Sequence, residues 1–235
     1  ADMLRIPYET VPLTDDFTIR KEDYFRENGG IIFPNPNAPT GVELGMQDVE
    51  AIIKANPDVI VVVDEAYVDF GAASALPLIE KYDNLLVVQT FSKSRGMAGM
   101  RIGYAMGNPV LIKYLNDVKY SFNSYTMDQT TLALGAAAIA DRTYFEETVH
   151  KVVETREWTK KELAKLGFVF GDSKANFIFA SHPEIPAADL FAALREANII
   201  VRYFNKPRIA NYLRITIGTQ EDMEKLIEFL KKYKK

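Results

Sequence analysis

Cysteine is absent from the 235 residues. That excludes disulfides, thiolate metal sites and a cysteine nucleophile. Histidine occurs only at His150 and His182, which argues against a His-based zinc site or a Ser-His-Asp triad. No apolar run approaches the ~20 residues that span a bilayer. The longest weakly apolar stretch, Thr131 to Ala140, is rich in Ala and follows no charged segment. With no signal-peptide pattern either, a soluble, cytoplasmic protein is the expectation. Positive charge is also not in surplus. Lys and Arg number 28 against 32 Asp and Glu, a formal net charge of −4, which argues against nucleic acid as the main partner. Neither GxGxxG nor GxxxxGK[ST] occurs, so a nucleotide-binding loop has no support.

What is present is the composition of a globular protein, 48% hydrophobic and 26% charged, long enough for one large domain or two smaller ones. Four short apolar runs read as buried strands: 30–33, 59–63, 85–90 and 101–106. Helical patterns are expected between the first three, with Val49, Ile52 and Ile53 lining one face of a helix near 46–55. Such alternation indicates an α/β domain with a mostly parallel sheet. Only Phe91 to Gly99 separate the third run from the segment that enters the fourth, and a parallel crossover needs a dozen residues or more. The fourth strand is therefore expected to run antiparallel, giving a mixed sheet.

Three helices are expected next. One opens at Asn108-Pro109 with Leu111, Leu115 and Val118 as its apolar face. A second covers 126–140, and a long third ends at Gly167, a C′ glycine. Short strands at 168–170, 176–180, 199–203 and 212–217, with helices near 186–197 and 220–234, then read as a small α+β domain. In the last helix Met223, Leu226, Ile227 and Leu230 recur at helical spacing, and Thr219 with Asp222 forms a variant capping box. The expected division is 1–143 for a large domain and 144–235 for a small one that includes the linking helix.

In open α/β sheets, ligands collect at the C-terminal ends of parallel strands. There the sequence places Asp64-Glu65-Ala66-Tyr67, Phe91-Ser92-Lys93, and the loop Asn35 to Gly41. A lysine at such an edge can form a Schiff base with a carbonyl. Asp64 can hold a protonated ring nitrogen, and Tyr67 can offer a phenol to the same ring. Ser92, backbone N–H groups near Gly96 and Gly99, and Arg101 can cradle a phosphate. A lysine, a carboxylate for a ring nitrogen and an anion cup are what pyridoxal phosphate demands. Each residue alone has an ordinary reading: a solvated loop lysine, a helix-starting Asp-Glu pair, a core tyrosine. Their combination in chain order is what carries weight.

That combination resembles the fold-type I pyridoxal-phosphate aminotransferases, and within them the histidinol-phosphate group. The matching segments are NPNAPTG (35–41), VVVDEAY (61–67), TFSKSRGMAGMRIGY (90–104), VRYFNKPRI (201–209) and NYLRITIGT (211–219). The resemblance implies a three-layer fold with a mixed, mostly parallel sheet and a small C-terminal α+β domain. It implies pyridoxal 5'-phosphate held by Lys93, which also shuttles a proton at the substrate carbon. It implies Asp64 on the ring nitrogen, Tyr67 on the ring oxygen, and Ser92 and Arg101, with Thr90, on the phosphate. Arg214 and Arg202 are implied as anion contacts for a phosphorylated amine and for glutamate or 2-oxoglutarate. A homodimer is implied for the full-length enzyme.

Two departures stand out. The family Asn before Pro-Thr-Gly is Ala38 here, so Asn37 is entered as the cofactor contact. The family's N-terminal arm, first strand and Gly-Ser-Asp loop have no counterpart before Leu4, so the chain, which opens on Ala1, is expected to be a truncated one, with inactivity as an alternative. Further alternatives are a threonine-phosphate decarboxylase and an aromatic aminotransferase. A receiver-type phosphoacceptor module fits Asp64, Thr90 and Lys93 only superficially, because Thr90 and Lys93 share one turn where that chemistry needs two strands.

Overall fold

A computed structural model gives the fold and describes residues 1–233. The first sheet holds β1 (Ile31–Pro34), β2 (Val61–Asp64), β3 (Leu85–Thr90) and β4 (Gly103–Gly107) in the order β1-β2-β3-β4. The first three are parallel, and β4 returns antiparallel to β3 with Thr90 opposite Gly103. The short connection thus has the consequence expected of it. Helix α1 (Met46–Ala55) covers the sheet with Val49, Ile52 and Ile53, all fully buried against Val61, Val63 and Leu85.

The expected helix between β2 and β3 is absent. That connection contains only the 3-10 turns Val68–Phe70 and Leu76–Leu78. Its buried residues, Val68, Phe70, Ala75 and Leu78, do not recur at a sustained helical period. Gly71 takes φ 109°, and Pro77 lacks an N–H for an α-helical ladder.

Helices α2 (Pro109–Phe122), α3 (Gln129–Ala140) and α4 (Arg142–Lys165) follow. Each begins at an Asn or Asp whose side chain accepts a first-turn N–H: Asn108 from Val110, Asp128 from Thr131, and Asp141 from Tyr144. The apolar face expected of α2 exists but is not buried. Leu115 and Val118 are 44% and 60% exposed, and Phe122 is 80% exposed. Periodicity identifies a face; it does not say what covers it. Helix α4 ends in a Schellman motif, with Phe168 N–H on the Leu163 carbonyl and Gly167 N–H on that of Ala164. Gly167 sits at φ 84°, where a Cβ would be strained.

The second sheet is antiparallel, in the order β5-β6-β8-β7: β5 (Val169–Phe170), β6 (Phe177–Ser181), β7 (Arg202–Tyr203), β8 (Leu213–Thr216). Helices α5 (Ala187–Glu196) and α6 (Gln220–Tyr233) pack their apolar faces on it. In α6 the buried residues are Met223, Leu226, Ile227 and Leu230. Thr219 and Asp222 exchange hydrogen bonds at its start, Thr219 N–H to Asp222 Oδ2 at 3.1 Å and Asp222 N–H to Thr219 Oγ1 at 3.2 Å. Lys234 and Lys235, at the end of the expected helix, lie outside the described residues.

Several contacts tie the two cores together. Arg156 of α4 is buried and donates to the carbonyls of Phe70 at 2.7 Å and Ala175 at 3.0 Å. Gly41 abuts Ser173 so closely that a Cβ there would stand 2.3 Å from Ser173 Oγ. Arg208 donates to the carbonyls of Leu13 and Thr14, while Phe17 sets its ring against Phe179 and Tyr212.

Candidate active site

The parallel strands deliver Asp64 and the Lys93 turn to one edge of the first sheet. Asp64 is the last residue of β2, level with Pro34 of β1 and Val88 of β3. Its Oδ1 accepts from Ala66 N–H at 3.0 Å, and no hydrogen bond from a described residue to Oδ2 is seen. Two residues past the level of Asp64, β3 ends at Thr90. Thr90 Oγ1 accepts from Ser92 N–H at 3.1 Å and donates to the Ile102 carbonyl at 3.2 Å, so it closes the turn. The turn presents Lys93, which is exposed, with Nζ 5.2 Å from the centre of the Tyr67 ring. Among the described residues no carboxylate forms an ion pair with Lys93. Arg101 adopts the left-handed conformation at φ 56° and donates to the Ala98 carbonyl at 2.9 Å.

The second sheet supplies the opposite side. Phe177, at the start of β6, meets the Tyr67 ring edge-on at 5.1 Å. Its other neighbour is Arg214 of β8, whose guanidinium carbon stands 5.2 Å from the ring centre. Phe204 lies 5.9 Å from Arg214 and 5.5 Å from Arg202. Arg202 and Arg214 are directly opposite in the β7–β8 pair, so they share a face of the sheet. A continuous line of contacts therefore runs Lys93, Tyr67, Phe177, Arg214, Phe204, Arg202. Arg214 Nε is buried and has no hydrogen-bond partner. Buried polar groups without partners are rare and carry a cost.

Asn37 is less directly placed. Its Oδ1 accepts from Thr40 Oγ1 at 2.9 Å, and its backbone closes the loop through Val42 and Gly41. The side-chain oxygen is committed to the turn; the amide nitrogen is left to donate. Asn35, not singled out from sequence, holds the loop base by bonding both the N–H and the carbonyl of Leu44.

Other residues were missed as well. Glu65 is 1% exposed. Its carboxylate accepts from Ala75 N–H at 2.6 Å, Ser74 Oγ at 2.7 Å and Gln89 Nε2 at 2.8 Å. Burial pushes the Glu65 carboxyl above its ordinary pKa, against the pull of these donors. Gln89 in turn accepts from the Tyr104 hydroxyl at 2.7 Å. Next to Lys93, the Ser94 hydroxyl donates to Asp69. Nothing in the spacing of these residues announces that they meet. Phe177 and Phe204 were equally silent, being aromatic residues in or beside strands like many others. A cavity of about 400 Å³ lies beside the lysine turn, lined by Lys93, Arg95, Ala138, Tyr144 and Phe145 among others. No cluster of His, Asp or Glu among the described residues could hold a metal ion. No helix among them is long and apolar enough to cross a membrane.

Comparison with known proteins adds to this geometry. The profile of the family "Aminotransferase class I and II" matches residues 2–230. A histidinol-phosphate aminotransferase of Lactococcus lactis subsp. cremoris (strain SK11) is 54% identical over 235 residues, covering 100% of this chain and 66% of its own length. One of Pseudomonas syringae pv. syringae (strain B728a) is 57% identical over 225 residues, 96% of this chain and 64% of the relative. The chain thus spans slightly less than two thirds of these relatives. Among solved structures, the histidinol-phosphate aminotransferase from Clostridium acetobutylicum superposes with TM-score 0.83 at 23% identity, covering 94% of this chain and 70% of that one, and shares the fold. That from Sinorhizobium meliloti, in complex with pyridoxal-5'-phosphate, gives TM-score 0.75 at 26% identity, over 87% of this chain and 58% of that one.

Proposed function

The chain belongs to the class I and II aminotransferase family, and on that premise we propose that it acts in moving an amino group between histidinol phosphate and 2-oxoglutarate or glutamate, with pyridoxal phosphate as cofactor. The observation that carries this reading is the line of contacts from Lys93 through Tyr67 and Phe177 to Arg214. It sets an amine that pairs with no carboxylate opposite a guanidinium with an orphaned N–H, which fits an anionic substrate presented to a lysine. Relatives more than half identical bear that name, which favours transamination over the decarboxylase and aromatic alternatives. The family assignment leaves no room for a receiver module.

The residues present fit the cofactor. Asp64 keeps Oδ2 for a protonated ring nitrogen, and Lys93 is exposed and pairs with no carboxylate among the described residues. When bound, pyridoxal phosphate supplies a carbonyl for an amine and a ring that accepts an electron pair. Lys93 would hold it and, when released, move the proton at the substrate carbon as a general acid and base. Asp64 would keep the ring nitrogen protonated. Tyr67 would donate its phenol to the ring oxygen, with the Asn37 amide as a further donor. Ser92, Arg101 and Thr90 would hold the phosphate. Arg214, supported by Arg202, would take the anionic group of either substrate by paired N–H donors, a geometry that lysine cannot reproduce. Residues 1–143 serve as the cofactor domain and 144–235 as the smaller domain. A cytoplasmic homodimer is the proposed setting of the full-length enzyme.

The test is direct. The chain is loaded with pyridoxal phosphate, given histidinol phosphate and 2-oxoglutarate, and glutamate is measured. Glutamate formation that fails with Lys93→Ala supports the reading. If glutamate never forms although the chain is folded and loaded, the proposed reaction is wrong for this chain.

A further inference from the structure

Glu65 is buried, takes no part in the proposed chemistry and forms an ion pair with no Lys or Arg among the described residues. A carboxylate in that position normally carries a cost. It is retained here by three neutral donors. Ser74 and Ala75 belong to the irregular connection that replaces the missing helix between β2 and β3. Gln89 belongs to the end of β3, one residue before Thr90. Gln89 then takes the Tyr104 hydroxyl from β4. One side chain thus links the end of β2, the following connection, the end of β3 and β4. Glu65 follows Asp64 in sequence, and Gln89 immediately precedes Thr90, whose side chain closes the turn that bears Lys93. Asp69, from the same connection, accepts from Ser94 on the far side of Lys93. Asp69 thus holds the lysine turn directly at Ser94, and Glu65 reaches it through Gln89 at the end of β3, while Lys93 itself has no such restraint.

We propose that Glu65 is a positioning residue: through Ser74, Ala75 and Gln89 it locks the lysine turn to the end of β2 and so sets where Lys93 stands relative to Asp64 and Tyr67. This rests on the aminotransferase reading for its purpose, though not for its geometry. Glu65→Ala leaves three donors without an acceptor and frees Gln89. Glu65→Gln keeps an acceptor for Ala75 and a donor for Ser74, and rotation of the Gln89 amide restores the remaining bond, so it is the conservative rescue.

The experiment follows hydrogen exchange in the full chain and, separately, borohydride trapping of pyridoxal phosphate with peptide mapping. In Glu65→Ala, amides of 91–97 are expected to exchange on the order of tenfold faster while β1 and the second sheet are unchanged, as loss of a few buried hydrogen bonds implies. Trapping at Lys93 is expected to fall by about tenfold, as a small misplacement of a reacting group implies. Glu65→Gln should return both to near wild type. A folded Glu65→Ala with unchanged exchange at 91–97, or with exchange raised evenly over the whole first sheet, overturns the proposal. If Glu65→Ala does not fold, Gln89→Leu decides. It keeps the Ser74 and Ala75 bonds, and unchanged exchange at 91–97 in that variant overturns the proposal equally. A wild type that takes no label at Lys93 defeats the aminotransferase reading of this chain, and the exchange result alone then decides the positioning role.

Discussion

The two sides of the candidate site are held by different physics. On the first sheet, the lysine turn is fixed by directional hydrogen bonds among Glu65, Ser74, Gln89, Thr90 and Ser94. On the second, Arg214 is surrounded by rings, with Phe177 and Phe204 against its guanidinium, and Phe179 stacked on Tyr212 at 4.6 Å behind them. The first side satisfies the polar groups that support the lysine turn internally, and so specifies a geometry. The second leaves a charged donor unsatisfied and so specifies a ligand. Rings can desolvate and orient a guanidinium, but they cannot replace an anion.

Substitutions can break that comparison at different points. The largest expected effect is from Lys93→Ala, which should lower transamination by about 10²–10⁴-fold, the range for loss of an acid–base group, with an unchanged thermal melt. Arg156→Met tests what holds the two sides together. It strips two buried carbonyls of their donor and should cost roughly 1–3 kcal/mol in a denaturant titration. Arg214→Leu sharpens the contrast most. Because its Nε has no partner, stability should be unchanged or slightly raised, while KM for the anionic substrate rises by about tenfold or more. A marked loss of stability would mean that the rings, and not a ligand, are what Arg214 serves. Away from the site, Val118→Lys on the exposed face of α2 should alter monomer stability by less than about 0.5 kcal/mol, and sedimentation would show whether that face joins two copies.

The smallest effect concerns acid. The Lys160 ammonium, hydrogen-bonded to Asp172, holds that carboxyl below its ordinary value. A depressed carboxyl contributes stability that is present above the unfolded-state pKa and lost as pH falls through the folded one. Melting curves taken down through that window should show a shallower acid limb in Lys160→Met.

Much of this architecture is legible in the sequence. Continuous apolar runs marked β1 to β3, the short connection reversed β4, and strand ends pointed to Asp64, Tyr67 and Lys93. These are local signals with one physical meaning each. The illegible parts depend on contacts distant in sequence. Phe177 matters because β6 brings it to Tyr67, and Glu65 because the connection after it folds back on its carboxylate. The β2–β3 connection carried apolar residues that suggested a helix, but Gly71, Pro77 and the carboxylate that binds Ser74 and Ala75 favour turns. Helix α2 shows the converse: its spacing marks the apolar stripe, and only the structure shows that stripe uncovered.

The proposed chemistry depends most on Lys93 being the amine that takes the cofactor. Incubation with pyridoxal phosphate, borohydride reduction and peptide mapping measure this directly. One labelled peptide is expected, containing Lys93, and it should disappear in Lys93→Ala. Label scattered over exposed lysines such as Lys113 and Lys151, or no label at all on the folded chain, would contradict it.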